Sequence, residues 1–201
     1  MFLNIRQFKK LLKNAYKGFG VDVIRFSDGI LHVKGLYWAI DVDEGVADKK
    51  YLAALIEVLG PLPDPGTGFK YHEENGEEIE VGFKYSEMKD TLLQQYTMGI
   101  PVQDTRLMIQ YRENCFSVFQ TIDTKDPFLV HRGLQILVDP ARVDRKKDEI
   151  EPEQPVINRD YVIWNNDMMQ LAISKTILHN EGERDFLRLI NAKDMRWEFD
   201  D

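Results

Sequence analysis

One cysteine, Cys115, is present among 201 residues. No internal disulfide can form, and the composition suits a reducing compartment, the cytoplasm. No run approaches the roughly eighteen apolar residues that cross a bilayer as a helix. The opening MFLNIRQFKK places its charges inside an amphipathic pattern and lacks the apolar core of a signal peptide. An excess of positive charge is also missing, with 26 Lys and Arg against 34 Asp and Glu and a net charge of -8. An acidic chain of this kind does not coat nucleic acid indiscriminately, although it can confine positive charge to one surface.

Catalytic signatures are scarce as well. Gly66-Thr-Gly68 lacks the lysine and the following helix of a phosphate-binding loop. The histidines, His32, His72, His131 and His179, are scattered and have no ligand spacing with Cys115. His72-Glu73-Glu74 reads as a solvated loop. Asp41, Asp43 and Glu44 cluster at a strand end, where carboxylates either hold a magnesium ion or punctuate a loop. Cys115 alternates with apolar residues in a strand and reads as a buried structural thiol. Trp38 and Trp164 read as core anchors. No nucleophile and base can be paired by spacing. The expectation is a non-enzymatic binding protein with no cofactor and no bound metal.

What the chain does have is an ordinary globular composition, 43% hydrophobic and 30% charged, and one conspicuous helix, Ile5 to Lys17. Ile5, Phe8, Leu12, Ala15 and Tyr16 recur at spacings of three and four, an apolar face at the helical period. Arg6, Lys9, Lys10, Lys13 and Lys17 form the opposite face, with Leu11 between the two. The plainer reading is a solvated face. The other is a surface kept positive for an anionic partner such as nucleic-acid phosphate.

Strand patterns follow at 21–26, 30–34 and 36–42, the first two joined by Ser27-Asp28-Gly29. Asp48 is the N-cap expected for a second helix over 49–59, which Gly60 ends. A hairpin over 69–83 turns at Asn75-Gly76, and a third helix is expected over 86–97. Gly99 and Pro101 end it. Strands are then expected at 106–111, 115–119 and 133–138, with a charged, Pro-containing loop over 143–155. A hairpin at 161–164 and 169–173 and a last helix near 180–192 complete the pattern. An amphipathic helix followed by a tight hairpin thus recurs, and such units must pair to cover their apolar faces. The expected class is α+β, with two similar domains at 1–84 and 85–201.

This arrangement resembles the DNA sliding clamps, whose domains are each built from two βαβββ units. The resemblance rests on an opening strand Met1–Ile5, the basic helix, the hairpin at Ser27-Asp28-Gly29, the second helix with its lead-in from Glu44 to Ile56, and the hairpin at Glu74-Asn-Gly-Glu77. In the second half the helix 86–97, its hairpin and the Asn165-Asn166 hairpin fit the same template. The chain departs from it in lacking a fourth helix and a second basic stripe, and in being short for a two-domain subunit. The resemblance implies double-stranded DNA as a partner, held topologically by Arg6, Lys9, Lys10, Lys13 and Lys17 without base readout. It also implies a homo-oligomer and an apolar groove between domains for partner peptides. Trp197 and Phe199, in the tail Met195-Arg-Trp-Glu-Phe-Asp-Asp201, either pack onto the body or dock into a protein partner. The competing function is a protein–protein interaction module without nucleic acid.

Overall fold

A computed structural model describes residues 1–79, 91–111, 113–142 and 150–177. Helix α1 forms over Ile5–Lys17, the span its periodicity predicts. Asn4 caps it, its side-chain oxygen accepting from the Gln7 backbone N–H at 3.2 Å. Gly18 closes it, donating to the carbonyls of Asn14 and Ala15. Phe8 and Leu12 are fully buried, and Ile5, Leu11, Ala15 and Tyr16 pack half-buried against the same core. Helix α2 likewise spans Lys49–Leu59, capped by Asp48, whose carboxylate accepts from Lys50 N–H at 2.7 Å.

Around these helices run β1 (Val21–Arg25), β2 (Ile30–Lys34), β3 (Trp38–Asp43), β4 (Thr67–Tyr71) and β5 (Glu77–Ile79). Then come α3 (Thr91–Thr97), β6 (Ile100–Tyr111), β7 (Asn114–Thr121), β8 (Pro127–His131) and α4 (Arg132–Gln135). A 3-10 turn at Pro140–Arg142 leads to β9 (Val156–Asn158), β10 (Tyr161–Asn166) and β11 (Met169–Ser174). The strands form one antiparallel sheet in the order β5-β4-β1-β2-β3-β11-β10-β9-β6-β7-β8. The class is α+β, as expected. The two halves meet where β3 pairs β11, from Trp38 opposite Ile173 to Val42 opposite Met169.

Alternation along the strands separates two cores. Val33, Trp38, Ile40, Val42, Leu171 and Ile173 join Phe8, Leu12, Tyr51 and Leu55 beneath α1 and α2. Ala39, Ile163 and Ala172 lie on the opposite face, where α3 covers them with Leu92 and Tyr96. Phe2, Leu3 and Leu137 close the first core at its end, where Leu3 bridges Val138.

Several expectations need correction. The opening strand Met1–Ile5 reduces to the bridge at Leu3, because Asn4 already starts α1. The strand expected at 133–138 is instead α4 and a turn. His131 caps α4, its Nδ1 accepting from Gly133 N–H at 3.1 Å, and Gln7 of α1 donates to the Gly133 carbonyl at 2.5 Å. The strand expected from Arg106 begins at Ile100, running through Pro101. There the proline carbonyl accepts from Ile122 N–H at 2.9 Å, and its missing N–H costs only the start of a strand. Strands β8 and β9 were not expected. Cys115 is half-buried rather than buried. The domain boundary at 84/85, the first turns of the expected third helix, residues 143–149 of the charged loop, the last helix, Trp197 and Phe199 lie outside the described residues.

Candidate nucleic-acid interface

Helices α1 and α2 lie side by side over the sheet. Phe8 anchors both, its ring 5.0 Å from Tyr51 on α2 and edge-on to Trp38 of β3 at 5.6 Å. Burying that seam turns the opposite face of α1 outward. Arg6, Lys10, Lys13 and Lys17 are exposed there. Their spacings of four, three and four place them in one stripe about 16 Å long. None of these four makes a hydrogen bond or ion pair among the described residues.

Lys9 differs from its neighbours. It is half-buried and its ammonium binds the Glu57 carboxylate of α2. That hydrogen bond, the charge of Lys9 and then the charge of Lys13 hold the Glu57 carboxyl below the ordinary carboxylate range. The structure therefore leaves the stripe open at four positions and engages it at the fifth.

Lys49 and Lys50 are exposed in the first turn of α2, the helix whose Glu57 meets Lys9, and were missed by sequence reasoning. The Asp48-Lys-Lys run carries the signal, because two lysines at the positive end of a helix dipole oppose helix stability. Neither helix has an acidic residue in its first turn.

The acidic residues singled out from the sequence serve separate partners. Asp41 binds buried His32, with Oδ1 and Nδ1 at 2.5 Å. Asp43 accepts from Gly45 N–H at 2.8 Å, and Glu44 pairs with Arg25 at 2.8 Å. Among the described residues no three His, Cys, Asp or Glu side chains converge as a metal site. His72 Nε2 is tied to the Gly18 carbonyl at 2.8 Å, at the end of α1. Trp38 and Trp164 are core anchors, 3% and 6% exposed.

Beside Lys10 a groove of about 640 Å³ opens between α1, β7, α4 and the chain leaving β11. Leu11, Phe116, Leu134 and Ile177 supply its apolar lining, Lys10 and Lys175 its charge, and no carboxylate lines it. No helix among the described residues is long and apolar enough to cross a membrane.

No family model matches the sequence, and no curated protein matches it. Solved structures of bacterial sliding clamps align with it weakly. The beta subunit of DNA polymerase III from Thermotoga maritima aligns over 90% of this chain and 66% of its own, with 10% identity and a TM-score of 0.35. The Bacillus subtilis DNA polymerase sliding clamp aligns over 89% and 64%, with 8% identity and a TM-score of 0.33. A Bartonella birtlesii sliding clamp, solved with griselimycin bound, aligns over 90% and 66%, with 12% identity and a TM-score of 0.33. The chain spans just under two thirds of the length of these proteins. It is an α+β protein with a weak structural resemblance to bacterial DNA polymerase III sliding clamps.

Proposed function

We propose that this is a non-enzymatic, clamp-like binding protein that holds double-stranded DNA through phosphates facing α1. Arg6, Lys10, Lys13 and Lys17 contact the backbone, and Lys9 joins them by exchanging Glu57 for phosphate. The observation that carries this reading is the outward stripe of four cations that make no hydrogen bond or ion pair among the described residues. Elsewhere a chain of net charge -8 repels DNA, so the field itself selects the face that approaches. The contacts read no bases, and affinity depends on salt rather than on sequence.

The test is the Lys10→Ala/Lys13→Ala/Lys17→Ala variant, whose exposed positions leave the core intact. Fluorescence anisotropy with a duplex is followed from about 50 to 200 mM salt. The variant should bind more weakly, with the logarithmic salt slope reduced by about 0.9 per charge removed. Unchanged binding at low salt sinks the proposal.

We take 1–84 and 85–201 as the two units of the subunit, and a homo-oligomer in the cytoplasm as the working form. Light scattering with and without DNA reports a defined symmetric assembly if a ring closes. Trp197 and Phe199 are assigned to a protein partner, and the groove beside Lys10 to a partner peptide. That groove also favours the second reading, a protein–protein scaffold in which α1 meets an acidic protein surface. Salt-sensitive binding to an acidic protein, without DNA retention, would select it.

A further inference from the structure

The turn that ends α1 presents an aromatic ring to solvent from a fixed backbone. Phe19 is 71% exposed. On one side, Gly18 N–H donates to Asn14 and Ala15, and the Gly18 carbonyl meets His72 Nε2 at 2.8 Å. On the other, Gly20 N–H donates to the Ala15 carbonyl at 2.8 Å, and in the helical turn before it Glu73 N–H donates to the Tyr16 carbonyl at 3.0 Å. Five hydrogen bonds around one residue hold the turn, yet none of them buries the ring. Single exposed hydrophobics are common, and what sets this one apart is its surroundings.

Both sequence neighbours of Phe19 are glycines, so neither adds a side chain beside the ring. Gly20 adopts φ +88 and has the Lys70 stem packed over it, 3.0 Å from where a Cβ would sit. An alanine at position 20 would therefore be strained and crowded. Lys17 precedes the ring as the last member of the basic stripe. Asp22 is half-buried in β1, and Glu73 and Glu74 are exposed beyond the end of β4. These carboxylates disfavour phosphate on their side of the turn, which keeps a bound backbone on the lysine side.

A largely exposed aromatic ring beside a row of cations is the combination that binds unpaired nucleobases. The base stacks while its phosphates meet the lysines. We propose that Phe19 is a stacking platform for an unpaired base, so that the protein favours duplex DNA carrying a single-stranded end over blunt duplex. This rests on the DNA-binding reading above and adds a preference to it. The pinned turn removes the ordering cost that a mobile aromatic would incur on binding.

The test compares wild type, Phe19→Ala and Phe19→Trp. Each is titrated against a blunt duplex and against the same duplex with a short single-stranded end containing 2-aminopurine. Wild type should bind the tailed DNA more tightly and quench the 2-aminopurine. Phe19→Ala should lose about 5- to 150-fold in affinity for the tailed DNA, lose the quenching and keep blunt-duplex binding. Phe19→Trp should restore both. If Phe19→Ala matches wild type on tailed DNA while duplex binding stays salt-dependent, the stacking proposal fails and the phosphate reading stands. Equal loss on both DNAs overturns it too, since that is a general contact rather than a stacking preference. If no DNA binds at low salt, both readings fall.

Discussion

Tyr51 offers a test of how the core beneath the basic face is built. It is 0% exposed on α2, its ring packed against Phe8, and its hydroxyl has no hydrogen-bond partner among the described residues. An unmet buried hydroxyl costs about 1–3 kcal/mol. Tyr51→Phe removes the oxygen and keeps the ring, so the variant should gain about 1–2 kcal/mol after allowing for the small void. For a chain of this size that raises Tm by about 2–8 °C.

The gain should grow in alkali. Burial first, and then the nearby charge of Asp41, push the Tyr51 pKa well above its model-compound value of 10.0. Below pH 10 the hydroxyl is protonated in both states. Above it the unfolded chain ionises and the folded chain does not, so wild type loses stability as pH rises. Calorimetry near pH 8 and near pH 10.5 should therefore show the variant's advantage widening. A variant less stable than wild type by about 1 kcal/mol would refute the reasoning, because the hydroxyl would then be bonded. An advantage independent of pH would refute its titration.

Other expectations concern single contacts. Leu12→Ala, at a fully buried site on α1, should cost about 2–5 kcal/mol in urea denaturation, and a near-neutral result would deny α1 its place over the core. His32→Ala leaves the Asp41 carboxylate buried without its partner. It should cost about 3–5 kcal/mol by thermal melting, part of which His32→Ala/Asp41→Ala should recover. Glu57→Gln releases Lys9 and deletes an acidic charge beside the stripe. DNA affinity at low salt should rise a few-fold and the salt slope should steepen, and weaker binding in the anisotropy titration would contradict the phosphate-facing assignment. Gly35→Ala places a Cβ 2.7 Å from the Trp38 indole. That overlap should cost about 1–3 kcal/mol and shift the tryptophan emission, and an unchanged spectrum would mean the ring has room to move.

Helices α1 and α2 were legible to the residue because each carries its own instructions: an apolar period of 3.6 and a glycine at the end, with Asp48 opening the second. Asp28-Gly29 likewise marked the β1–β2 turn. The segment 133–138 was not legible. A short apolar run suits a strand or a buried helical turn equally, and the contacts that decided it, from His131 and from Gln7, are partly remote in sequence. Strands β8 and β9 are short and open beside prolines, Pro127 and Pro155, so local pattern favoured loops. Their pairing with β7 and β10 decides otherwise. In the candidate site the stripe could be read from a helical wheel alone. Glu57 could not, since it reaches Lys9 across 48 residues.

The pairing of β3 with β11 also sets an order of events during synthesis. Trp38, Ile40 and Val42 have no partner strand on that side until Met169–Ser174 leaves the ribosome. Until then the nascent first half carries a raw apolar edge of the kind that recruits other chains. Closing so long a loop is slow. A burst of overexpression should therefore yield aggregates before it yields unstable product, and slower translation or chaperone capacity should raise the recovered fraction more than any stabilising substitution on the surface.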